Sequence, residues 1–210
     1  MKPFADKKIT VLGLGGVGGY VGALLADAYP HVTFVARGER GRSIREKGLV
    51  LHSDYRGERT VRPERVVETA ESLETQDYIF ICVKNYSLKE ACLSLAGCVS
   101  EGTVIVPVMN GADPGDRVRE YLPKGTVVDS LIYIVAFANA DFSITQQDKF
   151  ANLYVGIQDA SAPCWQKCCD VTDLLNIAGV DCTASRDIQA EIWKKYILNC
   201  AYNVETALYD

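Results

Sequence analysis

A chain of 210 residues that is 48% hydrophobic is long enough for one sizeable core, or for one domain and part of another. A formal charge of −5 and a pI near 5.2, with no basic run of five or more residues, argue against a nucleic-acid partner. The eight cysteines read as reduced structural thiols: Cys164, Cys168 and Cys169 cluster, but no C-x-x-C pair joins them and His31 and His52 lie far off in sequence, so no metal site is expected.

Lys8 to Leu12 is a short β-branched run that reads as a buried strand. Gly13-Leu14-Gly15-Gly16-Val17-Gly18 follows it directly, and Tyr20 to Ala28 reads as a helix that ends before Pro30. Strand, glycine turn and helix form the context in which G-x-G-x-x-G binds a dinucleotide. Gly13 permits the tight turn, Gly15 lets a pyrophosphate approach the backbone, and Gly18 lets helix and strand pack closely. The helix N-terminus offers free N–H groups and a partial positive charge to the phosphates. The uncharged stretch from Ile9 to Ala26 would by hydropathy alone be a membrane helix or a signal peptide. Its glycines fit nucleotide-loop spacing better, so a cytoplasmic protein with no membrane contact and no targeting segment is expected.

His31 to Ala36 reads as a second strand. A NAD-preferring site usually ends this strand with an acid that takes the ribose hydroxyls. Here it ends in Arg37, followed by Gly38-Glu39-Arg40-Gly41-Arg42. A guanidinium at this point can bind a 2′-phosphate in forked geometry. NADP is therefore the expected cofactor, with Arg37 the first candidate and Arg40 the second. Arg42 reads as part of a solvated basic loop, and Glu39 could instead hydrogen-bond a ribose.

Residues 49–67 hold two short extended runs, Leu49 to His52 and Arg65 to Val67, and read as peripheral β structure without evident chemistry. Asp77 to Val83 and Thr103 to Met109 are apolar strands of the buried parallel type. Pro107 predicts that one edge of the second is unpaired or bulged. Lys84 and Asn110 end these strands, on the edge where ligands bind in an open α/β sheet. Further on come a short helix over Asp113 to Tyr121, a strand at 125–128, a long apolar run over Ser130 to Ala138, and two runs, Phe142–Thr145 and Ala151–Gly156, that complete an antiparallel extension. A helix over 163–178, closed by Gly179, and a short strand at 180–183 follow.

From Arg186 the apolar spacing becomes helical, through Ile188, Ile192, Trp193, Tyr196, Ile197, Cys200, Ala201, Val204 and Leu208. Lys195, Asn199 and Asn203 lie four apart and share one face, which drifts by only about 80° over eight residues. Asparagine is a mediocre helix former, so two in register with a lysine point to a polar strip kept for a ligand.

Taken together, the Gly13–Gly18 loop, the arginine closing the second strand, Val83-Lys84, Met109-Asn110-Gly111 and above all Ile192-Trp193-Lys194-Lys195-Tyr196-Ile197-Leu198-Asn199-Cys200-Ala201-Tyr202-Asn203 resemble ketopantoate reductase (2-dehydropantoate 2-reductase). The resemblance covers the whole chain, and the last motif is its most specific part. It implies NADPH-dependent reduction of ketopantoate to pantoate, on the route to pantothenate. Carried over residue by residue, Lys195 matches the family's proton donor and Asn199 and Asn203 its substrate-binding asparagines. Asn110 matches the asparagine between cofactor and substrate, and Lys84 the lysine ending its strand.

The implied fold is α/β: a Rossmann-type NADP-binding domain with an antiparallel extension over residues 1–184, then, over 185–210, the first long helix of an all-helical C-terminal domain. Family members continue into that domain, which supplies further substrate contacts, a serine and a glutamate among them, whereas this chain ends at Asp210. An apolar stripe left uncovered on the last helix would favour a homodimer. Two other readings stay open: a related dehydrogenase for another 2-keto or 3-hydroxy acid, and a non-catalytic NADP-binding module.

Overall fold

A computed structural model describes residues 3–158 and 161–209. The elements run β1 (Ile9–Leu12), α1 (Gly16–Ala28), β2 (Val32–Val35), α2 (Gly38–Lys47), β3 (Leu49–Ser53), β4 (Arg59–Val61), β5 (Arg65–Val67), β6 (Tyr78–Ile81), α3 (Leu88–Leu95), β7 (Val104–Pro107), α4 (Pro114–Tyr121), β8 (Thr126–Val127), β9 (Asp129–Ala138), β10 (Ile144–Gly156), α5 (Ala162–Ala178), β11 (Asp181–Ala184) and α6 (Ile188–Tyr209). Asp210 lies outside the described residues. No helix among them is long and apolar enough to cross a membrane.

The first sheet is six-stranded and parallel, in the order β5-β2-β1-β6-β7-β8. Its central strands are buried on both faces and apolar but for Thr10, whose hydroxyl donates to Gln76 Oε1 at 2.9 Å. Alternate residues take opposite sides. Tyr78, Phe80, Val104 and Val106 join the core formed with α1 and α5, while Ile79, Ile81 and Ile105 join the core under α3 and α4. β2 and β6 flank β1 on opposite sides, so the order reverses beside β1 and a crevice opens past the carboxyl ends of the strands. The turn after β1, Arg37 after β2, Lys84 after β6 and Asn110 after β7 all reach that edge.

At Pro107 the expectation of an unpaired edge holds. β8 pairs only Val104 and Ile105, so the missing N–H of proline breaks no ladder there. The Ser130 hydroxyl donates instead to the Pro107 carbonyl at 2.9 Å.

The second sheet runs β11-β10-β3-β4, with β9 antiparallel to β10. It is mixed rather than purely antiparallel, because β3 and β11 join β10 in parallel. The two runs expected at 142–145 and 151–156 are one strand, β10, interrupted between Gln147 and Asn152 by an irregularity in register. Asp148 has φ 66° there. The Gln146 amide donates to the carbonyls of Gln147, Asp148 and Phe150 at this irregularity.

Two elements carried no usable pattern. Arg42, read as part of a basic loop, lies on helix α2, whose only buried residues are Gly41 and Ile44. A helix with so thin a buried face shows no apolar period. β4 buries only Val61, which is too little to alternate.

Asp187 starts α6 by accepting a hydrogen bond from the Ala190 N–H at 3.2 Å. Ile188 and Ile192 then pack on Leu131 and against Tyr133 and Tyr154. Gly156 makes this approach close: a Cβ there would lie 2.4 Å from that of Ile188. Beyond Ile192 the apolar stripe is exposed, at Trp193, Ile197, Tyr202, Val204 and Leu208.

Candidate active site

The glycine turn closes on rigid neighbours at every point but one. Gly13 has φ 94°, and a Cβ there would meet the Cys82 carbonyl at 2.8 Å. At Gly18 it would lie 1.9 Å from the Gly13 carbonyl oxygen, and at Gly16 2.1 Å from that of Ala136. Gly15 differs, since a Cβ there meets nothing within 4 Å. Gly15 is also the N-cap of α1, which no side chain caps. The first-turn N–H groups of a helix have no partner within it. Backbone donors and an open approach therefore coincide at Gly15, which fits a pyrophosphate.

Two hollows meet at the turn, and Gly15 and Val83 line both. The larger, about 330 Å³, lies between the start of α2 and the face of α3. It is lined by Leu12, Gly13, Leu14, Arg37, Arg40, Thr69, Ser87, Glu90 and Ser94, among others. Arg37 reaches across it to Glu90, with Nη2 to Oε1 at 2.8 Å. Arg40 sits lower. Its Nη1 donates to the Leu14 carbonyl, and its guanidinium lies 5.5 Å from the centre of the Phe142 ring. Arg42 faces solvent and pairs only loosely with Glu39, at 3.9 Å.

The smaller hollow, about 160 Å³, is bounded by Gly16, Val17, Lys84, Asn85, Met109, Asn110, Ile132 and Ala136. Lys84 is exposed on its rim. Lys195 arrives from α6, and its Nζ donates to Asn110 Oδ1 at 2.9 Å although 85 residues separate the two in sequence. Lys195 is 8% exposed. Its ammonium lies 5.7 Å from the centre of the Tyr133 ring, an attractive placement for a cation. Burial disfavours the charged form and pushes its pKa down to about 8. Asn199, one turn on, is half-buried, and Asn203 is exposed.

Three side chains that the sequence did not single out belong to this geometry. The Asn85 amide donates to the Asn110 carbonyl at 3.0 Å, steadying the turn at Gly111, where φ is 130°. Tyr133 backs Lys195, and Glu90 engages Arg37. Adjacency to Lys84 was a signal for Asn85. Tyr133 and Glu90 lay in ordinary strand and helix patterns and carried none.

The family model for ketopantoate reductase PanE/ApbA matches residues 9–159. The chain belongs to this family. A 2-dehydropantoate 2-reductase of Mesorhizobium japonicum is 28% identical over 222 residues, covering 96% of this chain and 67% of that protein. An uncharacterised oxidoreductase of Bacillus subtilis is 26% identical, covering 97% of this chain and 65% of the relative. The chain thus spans about two thirds of the length of these curated relatives. The crystal structure of a 2-dehydropantoate 2-reductase from Porphyromonas gingivalis superposes with a TM-score of 0.85 at 32% identity, over 97% of this chain and 72% of that one. D-mandelate dehydrogenase, solved with NADH and anilino(oxo)acetate, shares the fold at a TM-score of 0.76 and 18% identity.

Proposed function

We propose that this chain is the dinucleotide-binding part, with the proton donor, of an NADPH-dependent reductase that converts 2-dehydropantoate to pantoate. The observation that carries the reading is the buried Lys195 ammonium, held by Asn110 at the carboxyl edge of the parallel sheet. The names of the relatives support the substrate, and their greater length makes the activity one of the whole protein. On this reading residues 1–184 are the cofactor-binding domain and α6 opens a helical one.

The Gly13–Gly18 turn would hold the pyrophosphate, Arg37 a 2′-phosphate, and Lys84 the rim of the cleft. Arg40, committed to Leu14 and Phe142, would support the turn from below. The reduced nicotinamide would supply a hydride to the ketone carbon. Negative charge then develops on the ketone oxygen. Lys195 is placed to hydrogen-bond that oxygen and to give it a proton, so that hydride and proton together make the alcohol. Asn110 accepts from Nζ and keeps the ammonium aimed. A pKa near 8 makes the lysine a stronger acid than an exposed one, while leaving it mostly protonated at pH 7. Asn199 and Asn203 would orient the substrate carboxylate through amide donors.

The test is reductant consumption by the protein with 2-dehydropantoate and with a panel of other 2-keto acids, with NADPH and with NADH. Turnover of 2-dehydropantoate above the other acids supports the reading. Turnover of another acid alone would move the chain to a related dehydrogenase. Dinucleotide binding with no turnover of any acid would favour a binding module.

A pH dependence follows from Lys195. The donor is the protonated form, which is complete well below pH 8 and declines above it. Reduction should therefore hold level on the acid side of about pH 8 and fall towards tenfold per unit above it. Oxidation of the alcohol needs the neutral amine and should rise through the same range. A reductive profile flat to pH 10 would remove Lys195 as the donor.

A further inference from the structure

We infer that Glu90 sets cofactor selectivity, by competing with a 2′-phosphate for the Arg37 guanidinium. The inference rests on reading the larger hollow as the adenosine end of a dinucleotide site. Among the described residues, Glu90 is the only carboxylate that lines that hollow. It stands on α3, opposite the start of α2, and its Oε1 lies 2.8 Å from Arg37 Nη2. The two side chains thus meet across the mouth of the hollow, where a ribose at the end of β2 would present its 2′ position.

The alternative cation is already engaged. Arg40 donates to the Leu14 carbonyl and lies over Phe142, so Arg37 is the group for which phosphate and carboxylate contend. Both members of the Arg37–Glu90 pair are about two-thirds exposed, at 64% and 66%. An exposed pair of this kind opens readily. Opening it does not remove the carboxylate, however. A 2′-phosphate carries roughly −1.5 to −2 charges near neutral pH and would have to sit beside it. A 2′-hydroxyl meets no such repulsion and can donate a hydrogen bond to Glu90. The acid therefore holds down the preference for NADPH over NADH that Arg37 alone would create.

Equilibrium binding of NADPH and NADH to the wild-type protein and to Glu90→Gln tests this. Glutamine keeps the shape, removes the charge and frees Arg37, and the exposed position leaves the fold intact, which a thermal melt checks. NADPH should bind about tenfold more tightly to Glu90→Gln, with NADH changed by less than about twofold. A ratio of affinities that stays constant, or that moves towards NADH, overturns the role of Glu90 while leaving the cofactor site standing. If the wild-type protein binds neither dinucleotide, the site itself fails and the inference fails with it.

Discussion

Lys195→Ala is expected to lower turnover by about 10²- to 10⁴-fold, the usual worth of a positioned general acid, while dinucleotide affinity stays within about twofold. The two readouts separate because Lys195 lies on α6, bonded to Asn110, and does not line the larger hollow. The variant should fold. Alanine is a better helix former than lysine, and the change removes an ammonium whose burial is unfavourable. Asn110 Oδ1 loses its partner but lies beside the cleft, where water can replace it. The pH profile of the residual activity should lose its decline above about pH 8. Equal losses of turnover and of NADPH affinity would instead make Lys195 a structural residue of the cleft.

The second large effect divides the glycine turn into two kinds of position. Gly18→Ala places a methyl group 1.9 Å from the Gly13 carbonyl and 2.7 Å from the Cys82 side chain. Neither can yield without moving α1 away from the sheet, so a loss of about 1–3 kcal/mol in stability is expected. Gly15→Ala meets no protein atom within 4 Å, and Gly15 has φ −76°, which alanine adopts freely. Its melting temperature should match the wild type. Its NADPH affinity should nevertheless fall at least about tenfold, or 1.4 kcal/mol, because the methyl group stands where the pyrophosphate would lie. Denaturation and binding titrations on both variants suffice. Undiminished NADPH binding by Gly15→Ala would take the pyrophosphate off the turn.

What could be read along the chain followed the kind of signal each element carries. β1, β6 and β7 are buried on both faces and apolar but for Thr10, because helices cover both sides of the sheet, and such runs stand out along the chain. The glycine spacing was legible because it is contiguous: Gly13 and Gly18 touch each other, so the constraint lies within six residues. Helix α2 and strand β4 were not legible, since each buries too little apolar surface to impose a period. The continuity of β10 was hidden by the polar run around Asp148, whose carbonyls are satisfied by the Gln146 side chain rather than by a partner strand.

By itself, then, the amino-acid order determined the glycine turn, the covered parallel strands and the registry of Lys195, Asn199 and Asn203 on one helix face, because each rests on neighbours a few residues apart. Only the tertiary structure decided what those groups meet. It brought Asn110 to Lys195, and it packed α6 against β9 so that the ammonium is shielded and its pKa falls to about 8. It also set Glu90 against Arg37 across the larger hollow. Desolvation and ion pairing act through space, over distances that the sequence does not record.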